Sequence, residues 1–161
     1  MSSPQQTAML GARIAPLLRA GDTILLDGGI GAGKTHFARA LIQARLGAAG
    51  QNQDVPSPTY TLVQTYDDGT TEICHADLYR LQGLRDVGEL GLEDAFQNAI
   101  CLVEWPDRLA GAAPDAALVI AFEVRREPQH RALRFTASAR RWRELVPVLQ
   151  AASDPVRPDD V

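Results

Sequence analysis

No stretch constrains this chain more than Asp27-Gly28-Gly29-Ile30-Gly31-Ala32-Gly33-Lys34-Thr35. It follows the apolar run Thr23-Ile24-Leu25-Leu26 and opens a segment with helical spacing. From Gly28 it reads G-x-x-x-x-G-K-T, the phosphate-cradling loop between a strand and a helix. Its glycines let the backbone curl so that successive N–H groups point inward, and the following helix adds roughly half a positive charge at its N-terminus. The expected ligand is a polyanionic phosphate, held along Gly28, Gly31, Ala32, Gly33, Lys34, Thr35 and His36. Lys34 would supply a mobile cation, and the Thr35 hydroxyl one ligand to a hard, oxygen-seeking Mg²⁺. A glycine-rich turn that merely precedes a lysine is the plain alternative, and the flanking strand and helix patterns argue against it.

The 161 residues fit one domain, 1–152, followed by a proline- and aspartate-rich tail, 153–161, expected to be disordered. Hydrophobic residues make up 45% and charged residues 22%, and no apolar run approaches the ~18 residues of a membrane helix. Met1-Ser2-Ser3-Pro4-Gln5-Gln6 lacks the basic and apolar pattern of a secretion signal, so the expected location is the cytoplasm, with no membrane association. Cys74 and Cys101 stand far apart in the sequence, each in a strand-like apolar run, and read as reduced core thiols rather than metal ligands. A net charge of -4 argues against a chain whose main task is wrapping nucleic acid. The charge is uneven, with Arg125, Arg126, Arg131, Arg134, Arg140, Arg141 and Arg143 gathered near the end. These read either as a solvated rim or as a docking face for an acidic partner or RNA.

In chain order, Met9, Leu10, Ile14, Leu17 and Leu18 share one helical face, which predicts a helix over 7–19 that Pro16 kinks or shortens. A strand over 23–27 leads into the glycine loop. The next helix is predicted to run to Gly47, a left-handed stop. A polar, proline-bearing loop to Pro58 delivers Ser57-Pro58-Thr59-Tyr60 beside a strand over 61–66, whose hairpin partner is predicted over 71–75. Helical turns over 84–96 are broken by Gly88 and Gly91. Ile100-Cys101-Leu102-Val103 is the pattern of a strand buried on both faces, ending at Glu104-Trp105-Pro106. A second hairpin over 118–124 and 133–136 and a closing helix around Trp142, Leu145, Val146 and Leu149 complete an α/β chain with a mixed central sheet flanked by helices.

A phosphate loop alone binds a nucleotide, whereas hydrolysis also needs an acidic group on the metal and something to orient the attacking oxygen. Two strand-end carboxylates, Asp77 and Glu104, are placed for this, because ligands in such folds bind beyond the carboxyl ends of the strands. One is expected on Mg²⁺ opposite Thr35, and the other to position water or the metal's hydration shell. A helix cap or a surface ion pair is the bland reading of either. Thr59 stands where a hydroxyl could close on the γ-phosphate or the metal, the logic of a nucleotide-sensing switch. His36 and His75 carry no partner pattern and read as structural rather than catalytic. Trp105 either caps the core or shields the site from water.

G-G-I-G-A-G-K-T at 28–35, S-P-T-Y-T-L-V at 57–63, H-A-D-L-Y-R at 75–80, E-L-G-L at 89–92 and V-E-W-P at 103–106 follow the order and spacing of one family. The chain resembles the TsaE (YjeE) family, small bacterial ATPases of the machinery that makes threonylcarbamoyladenosine in tRNA, over about residues 10–136. The resemblance implies a single P-loop NTPase-like domain and a Mg²⁺-dependent ATPase, weak alone, that acts with TsaD and TsaB on the adenosine next to the anticodon. It carries Lys34 and Thr35 over as phosphate and Mg²⁺ contacts, Glu104 and Asp77 as the essential carboxylates, Thr59 as the switch threonine and Trp105 as a functional aromatic. Arg131 and Gln5 fall where the family touches the nucleotide. Gly29 replaces a common acidic residue, and His36 stands where a second Thr or Ser usually follows Thr35, which bears on loop stiffness and local charge rather than on phosphate binding. Direct contact with tRNA is left open.

Other readings compete. A GTP-driven switch would carry D-x-x-G and N-K-x-D, and neither occurs. A small-molecule P-loop kinase needs an acceptor pocket and an arginine-bearing lid, which the late arginines keep open. A nucleotide-binding adaptor with vestigial hydrolysis would use the same loop only to bind partners.

Overall fold

The structure, a computed structural model, describes residues 3–81, 84–124 and 131–153. The chain begins with α1 (Pro4–Ile14), and Ser3 caps it by accepting the Gln6 amide at 3.3 Å while Pro4 occupies the first turn, where a missing N–H costs nothing. α1 therefore starts earlier than the apolar spacing predicts. It also ends earlier, at Ile14, because Pro16 has no amide to donate to the preceding turn, and a 3-10 turn over Ala15–Leu17 follows.

β1 (Thr23–Asp27) falls where the sequence places it and leads through the glycine loop into α2 (Lys34–Ala48). α2 passes through Gly47, so the expected stop there is wrong. The left-handed residue is Gly50 (φ +73°), three positions later, and the Gln51 amide returns to Leu46 O at 2.8 Å to close the end. β2 (Val63–Asp67) and β3 (Glu72–Asp77) form the first hairpin across Asp68-Gly69-Thr70-Thr71, with β3 running two residues further than its apolar core predicts. After α3 (Leu84–Glu89) and α4 (Leu92–Asn98), split by a left-handed Gly91, come β4 (Ile100–Glu104), the hairpin β5 (Leu118–Val124) and β6 (Arg131–Thr136), and the closing helix α5 (Val146–Ser153). Pro147 lies in the first turn of α5, where it is tolerated. Ser153 is the last helical residue, so α5 takes in the first position of the expected tail, and residues 154–161 lie outside the described ones.

The six strands lie in the order β2-β3-β4-β1-β5-β6. The inner four are parallel, and each edge strand is antiparallel to its neighbour, giving the mixed sheet the sequence implies. Alternate side chains feed two cores. Ile24, Leu26, Ile73, Ile100, Leu102, Ile120 and Phe122 meet Phe37, Leu41 and Ile42 of α2 and Leu10 and Ile14 of α1. Leu25, Cys74, Ala76, Cys101 and Val103 face the other way, onto Leu92 and Phe96 of α4 and Leu109. Cys74 and Cys101, distant in sequence, are paired positions of neighbouring strands, both buried and free. Their shared hydrogen bond and burial push the Cys101 thiol up.

The late arginines do not form one solvated rim. Arg141 is largely buried and ties the 3-10 turn Arg140–Leu145 to β1 through Asp22 (Nε–Oδ1 3.0 Å), and Arg134 pairs with Glu123 across the β5–β6 hairpin at 2.7 Å. Arg125, Arg126 and the Arg131 side chain lie outside the described residues. Arg45 donates to Ala15 O and Leu18 O, the loose ends after α1, and to Asp68 Oδ2 at 2.7 Å. Burial alone would raise the Asp68 carboxyl, but the Thr70 hydroxyl, the Thr70 and Thr71 amides and Arg45 outweigh it and hold it down to about 2.

Candidate active site

The site lies beyond the carboxyl ends of β1, β3 and β4, where the open sheet leaves a crevice. Gly28 leaves β1 with φ +144°, and a Cβ there would stand 2.8 Å from Phe122 O and 3.0 Å from Phe122 Cβ, so the loop can turn here only without a side chain. Gly31 (φ +72°) and Gly33 (φ +106°) are left-handed, and Gly33 opens α2 with no side-chain cap. A fifteen-residue helix therefore begins at Lys34 with its first amides lacking intrahelical acceptors and facing the loop.

Lys34 is only 4% exposed, and its Nζ donates to Gly28 O at 2.6 Å and Gly29 O at 2.9 Å. The same ammonium lies 4.1 Å from the centroid of the Trp105 ring. Burial pushes Lys34 below its usual value, against the opposing pull of Glu104, Asp77, Asp27 and Asp107. Thr35 Oγ1 donates to Glu104 Oε2 at 2.8 Å, bringing the helix start and the end of β4 together. A cleft of about 300 Å³ is lined by Pro4, Gly31, Ala32, Gly33, Lys34, Thr35, His36 and Glu104.

Parallel register brings in the second carboxylate. Asp77 closes β3 directly beside Glu104, and both are nearly inaccessible, at 5% and 2%. Asp77 Oδ2 accepts from Thr59 Oγ1 at 3.2 Å, Oδ1 accepts from the Tyr79 amide at 3.1 Å, and Thr59 Oγ1 meets Ser57 Oγ at 2.7 Å. The Asp77 amide donates to Leu62 O at 2.8 Å, so the 57–62 loop is fastened to the end of β3 by backbone and side chain alike. Arg80 donates to Thr59 O and stacks on the Tyr60 ring at 5.1 Å. Trp105 adopts φ 59°, ψ 57°, rare for a bulky residue, and packs its ring 4.9 Å from that of Tyr79.

Of the residues singled out in the sequence, Gly31, Ala32, Gly33, Lys34, Thr35, His36 and Glu104 line one cleft, with Gly28 at its base. Asp77, Thr59 and Trp105 adjoin it through register, hydrogen bond and ring contact. Gln5 is exposed on α1, one residue from Pro4, whose carbonyl accepts from His36 Nε2 at 3.0 Å. Arg131 begins β6, the far edge strand, and its side chain lies outside the described residues. Sequence reasoning missed His75, whose Nε2 donates to Glu104 Oε1 at 3.0 Å. The available signal was parity: His75 and Asp77 alternate onto the face of β3 that looks toward α2, as Glu104 does on β4. Ser57 and Tyr79 were missed as partners of Thr59 and Trp105.

Comparison with known proteins identifies relatives of this chain. The family described as Threonylcarbamoyl adenosine biosynthesis protein TsaE matches residues 1–133. A Rickettsia conorii protein called tRNA threonylcarbamoyladenosine biosynthesis protein TsaE is 38% identical over 107 residues, 66% of this chain and 59% of its own length, so this chain spans about three fifths of that relative. The Bacillus subtilis protein of the same name is 31% identical over 144 residues, 89% of this chain and 87% of its own. The crystal structure of Bacillus subtilis YdiB superposes with a TM-score of 0.73 at 27% identity, covering 96% of this chain and 93% of that one. From the matched family, the breadth of the relatives and the shared fold, it follows that the chain belongs to the TsaE family.

Proposed function

We propose that this chain binds ATP with Mg²⁺ in the cleft above β1 and β4 and hydrolyses it, in support of threonylcarbamoyladenosine synthesis on tRNA, acting with TsaD and TsaB. The names of its relatives support the pathway, and the site supports the chemistry. One observation carries the reading: the Thr35 hydroxyl and the buried Glu104 carboxylate, from segments 69 positions apart, meet at 2.8 Å beside a phosphate-type loop. Thr35, Glu104 and Asp77 form an all-oxygen donor set, which suits Mg²⁺, an ion usually held by one or two carboxylates with phosphate and water completing its shell. Among the described residues no group of three or more His, Cys, Asp or Glu side chains is placed to hold a metal ion by itself.

When bound, Mg²⁺ would neutralise charge on the β- and γ-phosphates. The residues divide the remaining work. The loop amides and the start of α2 bind phosphate oxygens, and Lys34 leaves the Gly28 and Gly29 carbonyls for the phosphates. Asp77 orders the metal's hydration shell and the attacking water, Thr59 closes on the γ-phosphate, and Trp105 keeps bulk water from the ammonium. Incubating the chain with ATP labelled in the γ-phosphate, with and without the partner subunits, tests this reading. Label released as inorganic phosphate, faster with the partners, is the expected result, and label transferred to a metabolite would make the chain a kinase. Normal tRNA modification by a complex carrying Lys34→Ala would instead favour an adaptor. No helix among the described residues is long and apolar enough to cross a membrane.

A further inference from the structure

We propose that His75 is a positioning residue for Glu104, a one-way donor that holds Oε1 and thereby keeps Oε2 on Thr35, an inference that rests on the site reading above. His75 is fully buried on the α2 side of the sheet. It is paired in register with Leu102, two residues before Glu104, so the imidazole and the carboxylate are diagonal neighbours on the same face. Its Nε2 lies 3.0 Å from Glu104 Oε1, and Nδ1 is buried with no partner.

This asymmetry fixes the ring. An ionised carboxylate only accepts, so the hydrogen between them belongs to Nε2. A hydrogen on Nδ1 would be an orphaned donor in an apolar layer, whereas a bare lone pair there is the cheaper omission. The tautomer with hydrogen on Nε2 is therefore enforced by Glu104, and the ring in turn blocks rotation of the carboxylate. With Thr35 on Oε2 and His75 on Oε1, both oxygens of Glu104 are committed in direction. A histidine serving only as core filler would gain nothing from this, because leucine or phenylalanine would fill the same space without a polar atom to satisfy. Partners that fix a metal-binding carboxylate commonly change metal affinity or activity by about 10- to 100-fold when lost.

The test compares the wild-type chain with His75→Leu and His75→Gln. Long-range ¹H–¹⁵N spectra of the imidazole read the tautomer, and a fluorescent ATP analogue titrated with and without magnesium reads the site. We expect the Nε2–H form in the wild type. In His75→Leu the magnesium concentration for half-maximal binding rises about tenfold or more, while binding without magnesium stays within about twofold. His75→Gln, whose side-chain amide can donate to the same oxygen, recovers most of the difference. An Nδ1–H tautomer, an unchanged magnesium requirement in a folded His75→Leu, or a His75→Gln no better than His75→Leu overturns the inference. Should His75→Leu fail to fold, the tautomer and His75→Gln decide it. A wild-type chain that does not bind the analogue with magnesium sinks the functional reading instead, whichever tautomer His75 shows.

Discussion

The two halves of the site are held by different means. The half made of the glycine loop, Lys34, Thr35 and Glu104 is built into the sheet: Gly28 is wedged against Phe122, and Glu104 is the last residue of a fully buried strand. The half made of Ser57, Thr59, Tyr60 and Arg80 is a loop fastened from outside, by one hydroxyl on Asp77, the Asp77 amide on Leu62 O and a guanidinium on a backbone carbonyl. Tyr60, at 86% exposed, contributes nothing to the core. The first half is continuous with the buried sheet, whereas the second is held by a few exchangeable hydrogen bonds together with the buried Pro58 and with Leu62 packed on the second core. That division suits a socket that binds and a strap that responds.

The contrast can be broken at the socket first. Glu104→Gln keeps the shape of the side chain but removes the charge, and should lower turnover by about 10²- to 10³-fold and raise the magnesium requirement, with nucleotide affinity in the absence of magnesium little changed, measured by phosphate release and equilibrium binding. Gly28→Ala should cost about 2–3 kcal/mol in thermal or denaturant unfolding and abolish nucleotide binding, because backbone strain and a collision with Phe122 O arise together. The strap should answer differently. Thr59→Val removes one hydroxyl from Asp77 and should reduce turnover about tenfold while changing stability by under about 1 kcal/mol. Equal stability losses in the Gly28 and Thr59 variants would erase the distinction.

The smallest effect lies away from the site. Asp68 is held down to about 2 in the folded chain, from an ordinary value of 3.8, so its contribution is present above pH ~4 and is lost as the pH falls toward 2. Wild type should therefore lose about 1 kcal/mol across that window that Asp68→Asn lacks, as read from the difference in their unfolding curves. A parallel acid response would detach Asp68 from the fold's electrostatics.

The socket was legible because its constraints are local. The glycine spacing, the apolar run of β1 and the carboxylates closing β3 and β4 can all be read along the chain. What was not legible depends on register and on competition among turns. Gly47 looks like a stop, but α2 runs past it because Leu46 still packs in the core and Gly50 offers the same left-handed geometry one turn later. His75 shares the parity of Asp77, but its partner cannot be read locally, because it lies 29 residues away, diagonally across two parallel strands. The late arginines appear as a surface run until Arg141 turns inward to Asp22.

Trp105 follows Glu104 in a left-handed backbone, its indole against the Lys34 ammonium, while the chain's other tryptophan, Trp142, is buried with its Nε1 bonded to Ala116 O at 2.6 Å. The molecule thus carries its own optical gauge. A ligand that draws the lysine away alters the surroundings of one indole and leaves the other in place, so a shift in native emission can be assigned to the mouth of the socket without attaching a dye.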